Sequence, residues 1–372
     1  MSLSLMEGNE AIGWGALHAG CRFFAGYPIT PATSIFNTML NLLPPNGGYV
    51  IQGEDEIASM GYCIGASMAG FKPMTATSGP GMSLYSENIS FAIGSEIPLV
   101  IVNVQRLGPS TGYATRGADG DIQFMRWGNS GGMPVIVLAP TDANDSYTLT
   151  IHAFNLAEQY RCPVIVASNK EIGLTRESVD FEAFEKPPLV ERVLAPEGEE
   201  YLPFKPMPGK DVPYFLPLGG ERLSRQTSST HGQDGYHTIA TANIKALIER
   251  LDRKINANVD KFTFFEQDLK EGSDTLVLTY GVCARAARQA CRELTAAGKP
   301  TSLGVLKTLW PLPVNAIRQM AQGFKRVVVV EMNLGLYHRE ISCVLSDKQV
   351  DLVGEMHGSL IPPAQIKEAV NG

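Results

Sequence analysis

From Cys21 to about Ser168 the chain alternates short apolar runs with longer mixed segments. The runs are "CRFFAGY", "YVIQG", "PMTATS", "PLVIVNVQ", "PVIVLAP" and "PVIVASN". They are apolar throughout rather than at every second residue, which predicts strands buried on both faces of a parallel sheet. Segments 54–70 and 143–160 are long enough for crossover helices. Residues 1–186 therefore read as a doubly wound, parallel-sheet α/β domain.

The rhythm breaks after Lys186. Eight of the chain's 24 prolines fall in 187–217, beside "EGEE" and "PMPGK", so an extended connector with little regular structure is expected. It is not Gly/Ser-rich and is expected to lie against the protein surface. "ANIKALIERLDRKINAN" reads as one amphipathic helix and completes a connector over 187–270. A smaller α/β unit is expected over 271–372. "TLVLTYG" is its first strand, and Val282, Ala286, Ala290 and Leu294 share one face of a helix capped at Gly298. "TSLGVLKTLW", "RVVVVEMN" and "VDLVGEM" supply three more strands, and a last helix opens at Pro362 and Pro363.

Charge and cysteine usage narrow the possible functions. A net charge of −7, with no basic block, gives no footprint for nucleic acid. Apolar strips such as "IPLVIVNV" are about a third of the ~20 residues a bilayer span needs. The start "MSLSLMEGNEAIG" lacks the basic and apolar regions of a signal peptide, so a cytoplasmic protein is expected. None of the six cysteines forms a C-x-x-C pair or lies near a histidine at zinc spacing. No metal site is expected, Cys283 and Cys291 read as core thiols, and any iron–sulfur cluster must sit on another chain. The six histidines are scattered and none reads as catalytic; His231, in a polar loop, reads as solvated.

Three places carry candidate chemistry. In "YPITPAT", Thr30 reads as a helix N-cap with Pro31 at the first helical position, and Pro28 and Pro31 stiffen the approach. The corner is either a capping device or an anion-binding edge of the sheet. In "GEDEIASMGYCIGASMAG", Ala58, Gly61, Gly65 and Ala69 leave one helical face almost bare, and Glu56 stands at its start. Interior helical glycines cost about 0.5–1 kcal/mol each relative to alanine, so something is expected to pack close. Arg106, where "VIVNVQ" runs into a Gly/Pro loop, could hold a carboxylate through its two-pronged guanidinium or form a surface ion pair.

In order, "YPITP", "GEDEIASMGYCIGASMAG", "TSGPG", "GSEIPLVIVNVQRLGPSTG", "RWGNSGG", "PVIVLAP" and "PVIVASNKEIG" resemble the α subunit of 2-oxoacid:ferredoxin oxidoreductases, nearest the 2-oxoglutarate type. "LKTLWPLP" and "VVVVEMNLG" extend the resemblance across essentially the whole chain. It implies a pyrimidine-type thiamine diphosphate domain followed by a transketolase-C-like domain. It also implies Glu56 as the acid on the cofactor's aminopyrimidine (Glu54 if the register slips by two), with Thr30 and Arg106 on the substrate carboxylate. Pro28 and Ile29 would touch the cofactor rings. "GADGDIQFMRWGNS" and "HGQDG" lack the G-D-G pattern that holds Mg²⁺ and the diphosphate, so these are expected mainly on a β subunit. Separate γ and δ subunits, iron–sulfur clusters on partner subunits, ferredoxin, coenzyme A and a homodimeric contact complete the implied hetero-oligomer. The bare face would meet the β subunit or a second α chain.

"RWGNSGG" stands where many 2-oxoglutarate relatives have a basic "GRHGE"-like segment, which leaves a branched-chain 2-oxoacid open; Arg116 and Arg126 are the nearby cations. A non-catalytic scaffold is the reading from another class. A dinucleotide enzyme is excluded because no G-x-G-x-x-G follows the first strand.

Overall fold

The computed structural model describes residues 3–182 and 186–372, and 183–185, beside the expected boundary at 186, lie outside the described residues. In the first half the elements are β1 (Ser4–Glu7), α1 (Gly8–His18), β2 (Phe23–Gly26), α2 (Thr33–Leu42), β3 (Tyr49–Gln52), α3 (Glu56–Met68) and β4 (Pro73–Thr77). There follow α4 (Gly79–Leu84), α5 (Ser86–Gly94), β5 (Leu99–Gln105), α6 (Ile122–Trp127), β6 (Ile136–Leu138), α7 (Ala143–Tyr160), β7 (Pro163–Asn169), α8 (Lys170–Gly173) and β8 (Arg176–Val179). The second half holds α9 (Thr241–Asn256), β9 (Phe265–Asp268), β10 (Thr275–Tyr280), α10 (Cys283–Ala296), β11 (Ser302–Leu306) and β12 (Thr308–Trp310). It ends with α11 (Val314–Met320), β13 (Arg326–Glu331), α12 (His338–Val344), β14 (Gln349–Gly354) and α13 (Pro363–Asn371).

Two open α/β sheets result. The larger has the order β12-β6-β7-β5-β4-β2-β3 and the smaller β14-β13-β10-β11-β9, while β1 and β8 form a separate pair. Neighbours from β6 to β3 are all parallel, so their carboxyl ends share one edge. β4, β5 and β7 are buried along their whole length, as continuous apolar runs require. β3 departs from that expectation. It lies at one edge of the sheet and leaves Tyr49 and Ile51 exposed.

"TSLGVLKTLW" is two strands, not one. β11 pairs in the smaller sheet, whereas β12 crosses to pair antiparallel with β6 of the larger. The change of partner falls at Lys307, whose ammonium turns into Asp145 at 2.6 Å and also contacts Glu266. The units therefore share a core in which Ile101, Val137 and Ile165 cluster with Leu276, Trp310 and Tyr337.

The connector lies against the first unit. Lys72 donates to the Val190 carbonyl at 2.9 Å, and Arg192 reaches the Ser67 carbonyl at 2.7 Å and Glu158 at 2.6 Å. α9 is fastened by Arg250 and Lys254 on the fully buried Glu96, at 2.6 and 2.8 Å. His231 corrects the reading of a solvated loop residue. A bridge to His237 folds the loop over Phe204, leaving the imidazole 2% exposed with its centroid 3.8 Å from the phenyl ring. Cys283 and Cys291 are buried as expected. Among the described residues no helix is long and apolar enough to cross a membrane.

Candidate active site at the carboxyl edge of the larger sheet

β3, β2, β4 and β5 stand side by side, and each delivers one part of the candidate site just past its carboxyl end, where open α/β sheets bind ligands. After β3, Asp55 caps α3 by accepting the Ala58 amide at 2.8 Å, which puts Glu56 at the first helical position. Glu56 is 6% exposed, and among the described residues no donor is hydrogen-bonded to its carboxylate. Glu54 is exposed, with the Tyr62 hydroxyl donating to it at 3.4 Å. The two acids left open by the sequence thus differ sharply in environment.

After β4, "TSGPG" starts α4. A Cβ on Gly81 would lie 1.9 Å from Thr77 Oγ1 and 2.9 Å from Glu56 Oε1, so only glycine lets this backbone approach the acid. A Cβ on Gly79 would meet the Asp121 carboxylate at 3.0 Å. The short α4 therefore joins Glu56 on one side to Asp121 on the other.

After β2 comes the "YPITP" corner, where Thr30 is not the helix cap. The Ala32 amide donates to the Ile29 carbonyl at 2.8 Å, closing a turn over Thr30–Pro31, which is a cis peptide. α2 begins only at Thr33, with Ala32 in the cap position. Pro31 therefore belongs to the turn, and the Thr30 side chain is free of capping duty and exposed. Asn9 of α1 anchors the corner from behind, donating to the Pro31 carbonyl at 2.9 Å. Pro28 and Ile29 are half-buried, with Ile29 packed against the core that holds Ile12, Phe24 and Ile35.

After β5 stands Arg106, 6% exposed, whose guanidinium donates to the Thr30 carbonyl. Its Nε is buried and has no partner among the described residues. Burial lowers its pKa, opposed by the charge of Asp121. The structure thus brings Thr30 and Arg106 into direct contact.

Sequence reasoning missed the loop 117–121 behind this arginine. Asp121 accepts from Asn103 Nδ2 at 3.0 Å, and its amide donates to Gln105 Oε1 at 3.1 Å. Burial raises the Asp121 pKa, opposed by the Asn103 hydrogen bond and the Arg106 charge. Asp119, 2% exposed, accepts from Asn169 at 3.0 Å, and burial pushes its pKa up to about 7. The usable signal was "VNVQ", with amide side chains inside an otherwise apolar strand end. Of the other cations, Arg126 stacks on Trp127 at 4.0 Å and donates to the Met133 carbonyl at 3.3 Å. Arg116 packs beside Gly358.

A buried carboxylate without a donor, beside a glycine cradle and a partly unpartnered arginine, fits a ligand that supplies a donor to the acid and an anion to the guanidinium. The fold and this edge define a thiamine-type oxidoreductase subunit. Residues 14–250 match the family model described as "Pyruvate flavodoxin/ferredoxin oxidoreductase, thiamine diP-bdg", and 273–366 match "Pyruvate:ferredoxin oxidoreductase core domain II". The chain belongs to this family, the 2-oxoacid:ferredoxin oxidoreductases.

It is 40% identical to the 2-oxoglutarate synthase subunit KorA of Methanocaldococcus jannaschii, covering 100% of both chains. It is 31% identical to the ketoisovalerate oxidoreductase subunit VorB of Methanothermobacter thermautotrophicus, over 100% of this chain and 97% of that one. Among solved structures it resembles the 2-oxoglutarate:ferredoxin oxidoreductase of Magnetococcus marinus, determined with 2-oxoglutarate, coenzyme A and succinyl-CoA bound. That match has a TM-score of 0.92 and 32% identity over 99% of this chain, which spans 65% of the longer one.

Proposed function

We propose that this chain is the α subunit of a cytoplasmic 2-oxoglutarate:ferredoxin oxidoreductase, converting 2-oxoglutarate and coenzyme A to an acyl-CoA, CO2 and reduced ferredoxin. The observation that carries the site assignment is Glu56, a buried carboxylate at a helix start with no donor among the described residues. Glu56 would hold a proton at N1′ of the aminopyrimidine, and Pro28 and Ile29 would bear on the rings. When bound, thiamine diphosphate supplies the nucleophilic carbon and the electron sink for decarboxylation. Arg106 and Thr30 would hold the substrate carboxylate, since the arginine is buried, faces the corner and has an unpartnered Nε.

A β subunit would hold the diphosphate and Mg²⁺, iron–sulfur clusters would lie on partner subunits, and γ and δ subunits would complete the assembly. The exposed bare face of α3 is the surface proposed to meet the β subunit or a second α chain. A branched-chain 2-oxoacid is the second reading of the substrate, favoured by the commitment of Arg126 to Trp127 and Met133.

Co-expression with the β partner, followed by 2-oxoacid-dependent reduction of a viologen dye, tests the reading. 2-Oxoglutarate is expected to give the highest kcat/KM, and a preference for 2-oxoisovalerate would move the assignment to the second substrate. Glu56→Gln is expected to lower turnover by about 10²–10⁴-fold, the usual contribution of a positioned acid or base, with assembly intact. Wild-type turnover in that variant would leave a non-catalytic scaffold.

A further inference from the structure

The smaller sheet ends at β9, and between β9 and α10 its face is left open as a cleft of about 470 Å³. The strand register sets the floor. Glu266 pairs with Val305 and Asp268 with Leu303, so these four side chains project from one face, toward α10. The wall is one stripe of α10, because Arg288, Cys291, Arg292 and Thr295 are spaced at three, four and seven residues from the first. Among the described residues, none that lines the cleft belongs to the catalytic edge of the larger sheet.

Charge decides what this cleft suits. Arg288 holds Glu266 at 2.6 Å, and Lys270 holds Asp268 at 2.6 Å. Lys307 also contacts Glu266, so both acids of the floor are already engaged. Arg292, one helical turn beyond Arg288, is exposed and has no ion pair or hydrogen bond among the described residues. Three cations therefore line the cleft against two acids, and the surplus charge is that of Arg292.

We propose that this cleft is a second binding site, for a small amphipathic monoanion: an apolar ring or chain lies on Leu303 and Val305, and one carboxylate or sulfonate sits on Arg292. The volume suits such a ligand, since small-molecule clefts run from roughly 300 to 1,000 Å³. The guanidinium takes an oxyanion in two-pronged fashion, while the methylene stems of Arg288, Arg292 and Lys270 extend the apolar sides. A second negative group on the ligand would lie beside Glu266 and Asp268 and be repelled. A cationic ligand would meet the surplus charge and gain nothing.

The probe is anilinonaphthalene sulfonate, an aromatic body with one sulfonate, titrated by fluorescence into the co-expressed complex saturated with thiamine diphosphate. Arg292→Glu reverses the free charge and is expected to weaken one saturable class of sites by about tenfold or more, the scale of one lost charge-assisted hydrogen bond. Ala296→Trp fills the cleft and is expected to remove the same class. Both residues are exposed, so neither change is expected to disturb the fold. Wild-type affinity in either variant overturns the site. Hydrogen exchange on the wild-type complex locates the probe without any substitution. Slowed exchange over 265–270 and 288–296 supports the cleft, and protection confined to other segments overturns it. So does protection of these two segments by assembly alone, which would mean that a partner subunit covers the cleft.

Discussion

Two buried glutamates stand at the carboxyl edges of the two sheets, and their surroundings are opposite. Glu331, at the end of β13, accepts from the Tyr280 hydroxyl at 2.9 Å and from the Tyr337 and His338 amides at 3.1 and 2.9 Å. Glu56, just beyond β3, has no donor among the described residues. A buried charge costs several kcal/mol unless neighbours compensate it. Glu331 is compensated inside the chain and so belongs to the structure. Glu56 awaits compensation from outside, as a site does.

The largest expected effect comes from exchanging these two acids in turn. Glu56→Gln should lose about 10²–10⁴-fold in turnover while its denaturation midpoint stays at or above wild type, since a neutral amide replaces a buried acid that has no donor. Glu331→Ala should do the reverse. It strands one hydroxyl and two amides in the core, a loss of roughly 3–9 kcal/mol by denaturant unfolding at 1–3 kcal/mol per orphaned group, with kcat per folded complex unchanged. If both variants lose stability alike, the distinction between a structural acid and a waiting one collapses.

The same contrast governs what the sequence reveals. β4, β5, β7, β10 and β13 are legible because strands with neighbours on both sides must be apolar throughout. The crossing of β12 is not, because "GVLKTLW" keeps one apolar rhythm while its hydrogen-bond partner changes at Lys307. α1 escaped notice because "GNEAIGWGALH" buries most of its positions and so has no polar face to set a period. Glu56, Thr30 and Arg106 were proposed from ordered motifs, and the cap assigned to Thr30 failed because the turn closed by Ala32 and Ile29 is a tertiary outcome. Asp119 and Asp121 were given no role, because "GADGD" was weighed only as a G-D-G pattern and lacks it. Asp119 is buried where this loop hydrogen-bonds to Met332 and Asn333 of the second unit.

Glu96 extends the comparison to a structural acid whose compensation is charged. Burial alone would raise its pKa, but Lys254 and Arg250, with Arg161 behind them, hold it down from the ordinary 4.5 to about 2. A depressed carboxyl stabilises the fold above its unfolded pKa and loses that contribution as pH falls through the folded value. About 3 kcal/mol should therefore disappear between pH 4.5 and 2. Unfolding free energy measured across that window should fall less steeply in Glu96→Gln, which starts from lower stability at neutral pH because two buried cations lose their partner. An unchanged acid limb would mean that the cluster is more solvated than its geometry indicates.

The smallest expected effect on the chain itself lies at the bare face of α3. A side chain on Gly61 or Gly65 meets nothing within 4 Å. Leucine at either place should leave the melting of the purified chain within about 1 kcal/mol of wild type, since replacing a helical glycine gains roughly what exposing an apolar group loses. Within the complex the outcome should differ. Like Glu56, this face lacks a partner among the described residues, and its neighbours Ile57 and Tyr62 are exposed at 51% and 40%. A bulky side chain should therefore block assembly, read by size-exclusion chromatography of the co-expressed subunits. Loss of the β subunit with the α–α contact retained would assign the face to the hetero-interface, and the converse to the homodimer. Normal assembly with both leucines would show that this face is uncovered, and that an empty helical face, unlike an uncompensated acid, is not by itself the mark of a missing partner.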